Sequence, residues 1–428
     1  MPFDGPIIRQ LTAELNVELA QQRIEKIYQP DQDELLLVIR RRKGSSARLV
    51  ISANSRWNRL HLSSEKRENP SQPSSFCMLL RKYLEGGRIL GFEQDAFDRI
   101  VKIRIEALND LFEWQEKILL CEFTGKYSNI VLLDPAGNTI IDGIRRYGSD
   151  RSSYREVQPG APYIPPPSQD KHNPLDVDYQ EFCSAFWENN SSQTISHSLF
   201  STFAGLSPRT CEELCSLCGL APDMMVGECG EYELTRLFDT MQESVNNRNL
   251  QPTVVMTGDL PVDYFVFQPG HYDSDSLIGF ESMNEALDFY YQKKLAYSRL
   301  ESMRSNMVRN LRSYLDKAYK KLFFQEGDLV QAQKNEILRT RGELLTAYAY
   351  QLTKGQTLVE LQNFDGEGTT EIELQPHLTS MQNAQRYFKL YTKARKAREH
   401  LAQMIADNRR DIEYLESVVL EIEKAENM

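Results

Sequence analysis

Hydrophobic positions at the start of the chain recur with the period of an amphipathic helix. Within residues 1–22 the apolar side chains lie one, three or four positions apart, at Ile7, Ile8, Leu11, Leu15 and Leu19. This spacing predicts a helix with one buried face.

The following stretch has the pattern of short β-strands. Runs rich in Val, Ile and Leu alternate with turn residues, and they predict strands at 23–27, 35–40, 48–52, 100–105, 117–123, 129–134 and 139–142. A predicted helix at 75–84 interrupts them and ends at Gly86-Gly87. The pattern favours a mostly-β α+β domain in which the strands form a sandwich or a barrel.

Proline and glycine mark the next change along the chain. Residues 158–174 are rich in Pro, Gly, Ser, Gln and Asp, a composition that favours extended backbone, so we expect a linker there. Helical periods broken by Gly and Pro follow over 177–250, and strand-like pieces lie at 253–256 and 264–268. They predict a small helical domain.

The last third of the chain has the pattern of a helical hairpin. Residues 355–378 contain Gly, Pro and β-type alternation, so the chain turns back there and two helices pair antiparallel. We predict an antiparallel coiled-coil hairpin with a small β tip. Its first helix, 283–352, would be about 105 Å long at 1.5 Å per residue. Two series at steps of mostly three or four define the predicted seam: Leu300, Met303, Met307, Leu311, Tyr314, Ala318 and Leu322, then Ala394, Ala397, Leu401, Met404, Asn408, Leu415, Val419 and Ile422.

These patterns predict a multidomain α+β protein with domains at 1–174, 175–280 and 281–428. A chain of 428 residues with 41% hydrophobic and 26% charged residues can bury several cores. No apolar run reaches membrane-spanning length, and the first residues lack the pattern of a signal peptide. We therefore expect a cytoplasmic protein without a membrane partner, whose seven cysteines remain thiols.

Charge is distributed unevenly along the chain. The net charge of -11 arises from 50 basic and 61 acidic residues, and the acidic excess lies in residues 161–280, with 4 bases and 17 acids. In the predicted coiled coil, residues 293–321 carry nine bases against two acids, whereas residues 399–426 carry eight acids against three bases. Antiparallel pairing would bring these two segments together and largely neutralise them.

A group of bases near the predicted coiled-coil tip has no acid within its own segment. It consists of Arg386, Lys389, Lys393, Arg395, Lys396 and Arg398, and it would face Lys334, Arg339 and Arg341. Two interpretations are open at the level of sequence, namely a solvated coiled-coil surface and a face that contacts phosphate groups.

Metal-binding and catalytic motifs yield no candidate site. Cys211, Cys215 and Cys218 have a spacing known from iron–sulfur ligands, but steps of four and three place the thiols on one helix face, so we expect core cysteines. The six histidines show no ligand spacing, and phosphate-binding glycine loops and nucleophile elbows do not occur. We expect no metal, no cofactor and no enzymatic activity.

The N-terminus raises one further catalytic possibility. Removal of Met1 would expose Pro2, and an N-terminal proline amine is the nucleophile of one class of DNA glycosylase. Those enzymes follow the proline with a catalytic glutamate, whereas this chain has Phe3. We interpret Pro2 as inert.

Three features could contact nucleic acid. Asp98-Arg99 precedes a predicted strand, where it forms either a strand-end ion pair or an arginine positioned for bidentate contact with a phosphate or a base edge. Gly205 and Ser207 lie between two predicted helices, in a plain structural turn or one that directs backbone amides at a phosphate. A hairpin tip or backbone contact is predicted at Arg40, Arg41, Arg42 and Lys43.

The order of several short motifs resembles the NFACT family, which includes RqcH, NEMF and fibronectin-binding-A-like proteins. The resemblance covers essentially the whole chain. The matching residues include Phe3-Asp4-Gly5, Arg23-Ile24, Gln29-Pro30, Arg59-Leu60-His61, Asn69-Pro70, residues 76–82, Gly86-Gly87, Asp98-Arg99, Gly125, Ser128-Asn129-Ile130, Asp142-Gly143, Phe280-Glu281-Ser282 and residues 383–388.

The resemblance implies a fold and a function. It implies an N-terminal domain related to the glycosylase N-domain, a helix-hairpin-helix domain and a middle coiled coil. It further implies ribosome-associated quality control, in which a family member binds the large ribosomal subunit carrying stalled peptidyl-tRNA and recruits alanyl-tRNA for untemplated alanine tailing. The ribosome itself performs the peptidyl transfer. Family members usually carry a further RNA-binding domain after the coiled coil, and this sequence ends at Met428.

The resemblance also implies site residues. Asp98-Arg99 corresponds to the family motif required for tRNA recruitment, and the coiled-coil tip is expected to contact ribosomal RNA and ribosomal proteins. Possible further RNA contacts are Arg40, Arg41, Arg42, Lys126, Ser128, Asn129, Arg386, Lys389 and Lys393. The alternatives are a fibronectin-binding surface adhesin and, from fold kinship alone, a DNA glycosylase or lyase.

Overall fold

A computed structural model describes residues 3–41, 44–66, 69–109, 111–149, 154–167, 169–188, 192–246, 248, 250–366 and 368–425. The chain folds into two compact units, Met1–Tyr297 and Ser298–Met428. No helix in the part of the chain that the structure describes is long and apolar enough to cross a membrane.

A nine-stranded antiparallel sheet forms the first half of the first unit. Its strands are β1 (Arg23–Asp31), β2 (Glu34–Arg40), β3 (Ser46–Ser52), β4 (Arg59–Leu62), β5 (Arg88–Gln94), β6 (Ile100–Leu108), β7 (Trp114–Glu122), β8 (Asn129–Asp134) and β9 (Thr139–Gly143), in the order β4-β3-β2-β1-β5-β6-β7-β8-β9. All seven predicted strands are confirmed. The pattern does not predict β4 and β5, because β4 is only four residues long and Gly91 interrupts the apolar run of β5.

Two helices pack against this sheet. Helix α1 (Gly5–Leu19) confirms the first predicted helix, and α2 (Ser75–Leu84) has the predicted bounds. The Ser74 side chain accepts a hydrogen bond from the Cys77 amide at 3.0 Å at the start of α2. Gly86 follows the helix with φ +79°, a left-handed conformation that favours glycine.

Four further helices and a small sheet follow in the first unit. They are α3 (Tyr179–Glu188), α4 (Ile195–Thr202), α5 (Pro208–Leu217), α6 (Glu231–Val245), β10 (Thr253–Thr257), β11 (Leu260–Phe265) and β12 (Leu277–Gly279), with sheet order β11-β10-β12. One hydrophobic cluster runs from Phe3 through Phe182 and Phe203 to Tyr291. The domain boundary predicted at residue 174 therefore lies inside a single compact unit.

The first residues of the proline-rich segment pack against the nine-stranded sheet. In its described residues, 158–167 and 169–174, it has no regular helix or strand, as predicted. Pro162 nevertheless bridges to Thr139, and Val157, directly before the segment, is buried in a cluster against the sheet. The Arg155 guanidinium makes two 2.6 Å hydrogen bonds to the buried Glu122 carboxylate, and the Tyr163 hydroxyl donates to the same carboxylate at 2.9 Å. The first part of the predicted linker is thus fixed to the sheet.

The second unit contains the helical hairpin. Helix α7 (Met283–Gln333) starts in the first unit, a 3-10 turn at Lys334–Glu336 follows, and the chain continues through α8 (Ile337–Ala347), β13 (Leu358–Gln362), β14 (Thr369–Glu373) and α9 (Ser380–Lys424). Helix α9 runs antiparallel to α7, as ion pairs of Arg312 with Glu423 and of Glu326 with Arg409 indicate. The predicted hairpin and β tip are confirmed, whereas the predicted unbroken helix 283–352 is wrong at Lys334–Glu336.

The packed seam of the hairpin agrees with the predicted one in part. Leu311, Ala318 and Leu322 of the predicted α7 series are half-buried, and Asn408 of the predicted α9 series is buried. Met303, Met307 and Tyr314 are 56%, 45% and 60% exposed, whereas Leu315 is buried. The Asn408 side chain donates to the Ala318 carbonyl at 3.0 Å and to Gln325 at 3.3 Å, and these polar contacts join the two helices at the seam.

Candidate nucleic-acid interface

A tight turn between β5 and β6 carries the Asp98-Arg99 motif. The Asp95 amide donates to the Ile100 carbonyl and the Asp98 amide to the Asp95 carbonyl, both at 3.0 Å. The ring of Phe97 points inward and is only 1% exposed. The turn is therefore held from inside, while the two motif residues lie at its surface.

Two glycines allow the chain to approach Phe97. A Cβ atom at Gly205 would lie 2.0 Å from the Phe97 carbonyl oxygen, and one at Gly5 would lie 2.6 Å from the Phe97 ring. Gly205 also has φ +73°, so two separate constraints require glycine at this position. The Gly5 amide donates to the Gly205 carbonyl at 2.7 Å, so three distant segments meet behind the motif.

Asp4 occupies the start of α5. Its Oδ2 atom accepts hydrogen bonds from the Ser207 amide at 3.2 Å and the Thr210 hydroxyl at 2.5 Å. Burial raises the pKa of Asp4 to about 6, against the lowering effect of these hydrogen bonds. Of the two alternatives for Gly205 and Ser207, the structure supports the plain structural turn, because the Ser207 amide already donates its hydrogen bond to the Asp4 carboxylate.

The motif residues themselves do not pair with each other. The Asp98 carboxylate accepts a hydrogen bond from the Arg99 backbone amide at 2.7 Å, and the Arg99 carbonyl accepts one from the Phe123 amide at 2.9 Å. Within the described residues the Arg99 guanidinium has no ion pair. The strand-end ion pair is therefore absent, and the half-exposed guanidinium of Arg99 is available for an external ligand.

Lys171 adds a second cation beside this turn. Its ammonium donates to the Phe200 carbonyl at 2.7 Å and lies 4.2 Å from the centre of the Phe200 ring. Burial lowers the pKa of Lys171, and the nearby charge of Arg99 also lowers it. No sequence spacing connects Lys171 with Asp98-Arg99, so the sequence alone does not identify it.

The predicted contacts that follow β7 divide into buried and exposed residues. Ser128 and Asn129 are 0% and 1% exposed, and the Asn129 amide bonds the backbone of Arg145. Buried side chains that hold a loop are not available to RNA. Lys126 is exposed and lies 4.8 Å from the centre of the exposed Tyr127 ring, so it is the member of this group that could contact RNA.

The predicted basic hairpin tip lies between β2 and β3. Arg40 is exposed at the end of β2, and Arg41 pairs with Glu18 of α1. The Gly44 amide donates to the Arg41 carbonyl at 3.0 Å, which confirms a turn. Arg42 and Lys43 lie outside the described residues.

Acidic partners lower the net positive charge of the basic group near the β tip of the second unit. Arg398 pairs with Glu336 at 3.0 Å, Arg395 with Glu399 at 3.2 Å, and Arg339 with Glu343 at 2.9 Å. The predicted group has no acid within its own segment, but these three arginines find acidic partners outside it. Exposed bases without an ion pair in the described part of the chain remain at Lys334, Lys389, Lys393 and Lys396, and half-buried ones at Arg341 and Arg386.

The cysteines of α5 belong to the hydrophobic core. Cys211, Cys215 and Cys218 are 0%, 0% and 1% exposed within the main cluster. Burial raises the pKa of all three thiols. The described residues contain no group of His, Cys, Asp and Glu arranged to hold a metal. The prediction of core cysteines is confirmed.

Comparison with known families assigns the chain. The family described as NFACT N-terminal and middle domains matches residues 4–428. This chain belongs to the NFACT family. Among curated relatives, the "Rqc2 homolog RqcH" of Streptococcus suis is 34% identical over 420 residues, which cover 98% of this chain and 71% of that protein. The protein of the same name from Bacillus subtilis is 32% identical over 99% of this chain and 73% of its own length.

Solved structures agree with the NFACT assignment in the first part of the chain. The N-terminal part of a fibronectin/fibrinogen-binding protein from Streptococcus suis is 30% identical, covers 68% of this chain and 99% of that chain, and has a TM-score of 0.57. A fibrinogen-binding protein from Staphylococcus aureus is 26% identical with the same coverage and a TM-score of 0.58.

Several of the NFACT-like residues have structural roles. The Asp142 carboxylate is buried and accepts two 2.6 Å hydrogen bonds from Arg146. The Asn383 side chain is buried and bonds the backbone of Gln375, which joins α9 to the β tip. Asp98-Arg99 differs from these residues, because the turn is anchored by the buried Phe97 while Asp98 is exposed and Arg99 half-exposed.

Proposed function

We propose that this NFACT protein is a ribosome-associated quality control factor that recruits tRNA through Asp98 and Arg99. The observation that carries the proposal is the exposed motif on a turn anchored by the buried Phe97. A rigid support lowers the entropy lost when the side chains engage a ligand. The similarity to RqcH proteins over 98% of the chain supports the same role.

The chemistry of the turn suits RNA. The Arg99 guanidinium can make bidentate hydrogen bonds to a phosphate or to a guanine edge. The Asp98 carboxylate can accept a hydrogen bond from a 2′-hydroxyl or a base amine. Lys171, beside Arg99, adds positive charge at the same place. The two cations can therefore bind a phosphate, while Asp98 recognises the neighbouring 2′-hydroxyl or base amine.

We propose that the large ribosomal subunit with stalled peptidyl-tRNA is the binding partner, that the recruited tRNA is alanyl-tRNA, and that the result is alanine tailing in the cytoplasm. The basic residues Lys389 and Lys393 near the β tip would contact ribosomal RNA. The α4–α5 pair acts in this scheme as a helix-hairpin-helix support for the turn. The protein would carry out no bond-forming step itself.

Removal of the two motif side chains tests the proposal. The double variant Asp98→Ala with Arg99→Ala should bind tRNA roughly tenfold more weakly, because one bidentate contact is worth about 1–3 kcal/mol. Wild-type affinity should fall as salt rises, since neutralised phosphates release counterions. The measurement is filter binding with total tRNA, alanyl-tRNA and purified large subunits at low and near-physiological salt.

A matched control removes the same charges elsewhere. Arg236 and Asp239 are exposed on α6 of the same unit, and the variant Arg236→Ala with Asp239→Ala should keep wild-type tRNA affinity. Equal tRNA affinity in the wild type and the Asp98/Arg99 variant would show that the motif is not the tRNA site. Absence of binding to both RNAs by the wild-type chain would contradict the proposed function.

Fibronectin binding is the second candidate function. It is favoured by the names of the two solved relatives, which describe fibronectin- or fibrinogen-binding proteins. Surface plasmon resonance with immobilised fibronectin separates the candidates. An adhesin should bind with an affinity that neither salt nor the Asp98/Arg99 variant changes.

A further inference from the structure

The hairpin that joins β6 to β7 exposes large apolar side chains at its tip. Leu111, Phe112 and Trp114 are 76%, 84% and 51% exposed, and Leu108 opposite Trp114 is 45% exposed. Soluble proteins rarely place this many large apolar groups together in solvent without a partner. This surface, Leu108, Leu111, Phe112 and Trp114, is called the apolar tip below.

The backbone of the apolar tip is ordered by its own hydrogen bonds. Asn109 Oδ1 accepts from the amides of Leu111 at 2.8 Å and Glu113 at 2.9 Å. The Asn109 amide donates to the Glu113 carbonyl at 2.9 Å, and the Phe112 amide to the Asn109 carbonyl at 3.0 Å. The apolar side chains are therefore presented by a preformed loop.

Phe112 has a left-handed backbone conformation that favours glycine. Three-residue hairpin loops end with a residue in the left-handed conformation, usually glycine. Phe112 takes this conformation with φ 62°, although its Cβ makes that backbone costly. A strained aromatic residue that packs against little of its own chain points to a role outside the chain.

Charge selects the kind of partner. Residues 106–116 contain four acids, Glu106, Asp110, Glu113 and Glu116, and no Lys or Arg. Arg88 pairs with Glu106 at 2.5 Å and Arg104 with Glu116 at 2.6 Å, whereas Glu113 has no cationic partner among the described residues. Acidic surroundings repel phosphate groups of RNA and of anionic lipids. They suit an apolar cleft with basic groups at its rim.

We propose that the apolar tip inserts into an apolar, basic-rimmed cleft on a protein of the large ribosomal subunit. This inference rests on the proposed function and adds a protein contact to the RNA contact of Asp98-Arg99. The convex shape of the tip requires a concave partner. Ordinary hydrophobic burial of Leu111 and Phe112 supplies the affinity, so the contact withstands salt.

Two substitutions separate this role from a role in folding. Phe112→Gly removes the ring and relieves the left-handed backbone, so its melting temperature should equal or exceed that of the wild type. Leu111→Ser removes the second apolar anchor. In co-sedimentation with purified large subunits at high salt, the double variant should bind roughly tenfold or more weakly, while its tRNA affinity stays at the wild-type value. The matched control Val17→Ser, at an 88% exposed position of α1, should change neither.

The outcomes separate the two proposals. Unchanged subunit binding by the tip variant would overturn the apolar tip as a contact and leave the proposed function intact. Failure of the wild-type chain to bind subunits would overturn both. A tip-dependent interaction with protein-free ribosomal RNA would identify RNA as the occupant, and tip-dependent self-association in sedimentation velocity would identify a second copy. Either result would contradict a ribosomal protein partner.

Discussion

At the scale of single residues, the functional turn depends on groups that never reach solvent. Phe97 fills the space beneath Asp98-Arg99, and only glycine at 205 lets the chain pass its carbonyl oxygen. Asp4 joins the N-terminal segment to α5 through Ser207 and Thr210. The exposed motif residues therefore owe their position to buried neighbours from two other parts of the chain.

Asp4 predicts a specific pH dependence of stability. Its native pKa of about 6 exceeds the ordinary value of 3.8, so the native state binds more protons than the unfolded state between these two values. The contribution of Asp4 to the free energy of unfolding is therefore highest below pH about 4. It declines by on the order of 3 kcal/mol as the pH rises through about 6. Asp4→Asn should remove this decline, because the amide oxygen still accepts the same hydrogen bonds. Urea unfolding at pH 4.5, 5.5 and 7 measures it.

The comparison for Asp4 is Asp239→Asn, an exposed acid on α6. It should follow the wild-type pH profile. If Asp4→Asn also followed that profile, the buried carboxyl would not be the titrating group.

At the scale of elements, helix ends are stabilised by residues from elsewhere in the fold. The start of α7 is bound by Glu14 of α1, whose carboxylate accepts from the amides of Met283 at 2.8 Å and Asn284 at 3.0 Å. Asp288 in the next turn accepts from the amide of Ser64 at 3.0 Å. A negative charge at a helix N-terminus satisfies free amides and complements the helix dipole.

Removal of the Glu14 carboxylate should weaken the start of α7. We expect Glu14→Ala to lower the free energy of unfolding by about 1–2 kcal/mol, the usual cost of a lost cap. Glu18→Ala is the matched control on the same helix, because its pair with Arg41 is at the surface and contributes little. Equal effects of the two substitutions in urea unfolding would refute the capping role of Glu14.

At the scale of the whole molecule, buried ionic contacts connect segments that the sequence separates. Glu122 of β7 and Arg155, three residues before the proline-rich segment, are 0% and 7% exposed and form a bidentate pair. A buried charge without its partner is costly, whereas loss of both charges together is tolerated. The pair therefore holds against the sheet the stretch of chain that leads into the proline-rich segment.

Breaking this pair should destabilise the first unit. Arg155→Ala leaves Glu122 buried without its guanidinium, and we expect a loss of about 3–5 kcal/mol in the free energy of unfolding. The double variant Glu122→Gln with Arg155→Met should recover most of that loss. Thermal unfolding followed by circular dichroism tests the pair, and an Arg155→Ala variant as stable as the wild type would contradict its role.

Local patterns predict much of this fold and part of its site. The bounds of α2 and the existence of the seven strands follow from side-chain periodicity and turn residues, which act within a few positions. Asp98-Arg99 stands out in the sequence because an acid and a base lie side by side directly before a predicted strand. Lys171 and Asp4 escape sequence analysis as members of the same site, since their relation to the motif exists only after distant segments have packed.

The sequence by itself determined the element types, the antiparallel hairpin of the second unit, the core position of the α5 cysteines and the NFACT resemblance, because each depends on spacing or order along the chain. Tertiary structure alone decided that Leu315 rather than Tyr314 packs in the seam of α7, which bases have an acidic partner, and which motif residues remain exposed. It also decided that the apolar tip stays uncovered. Those properties depend on burial and on distances between residues far apart in sequence, and such distances are set only when the chain folds.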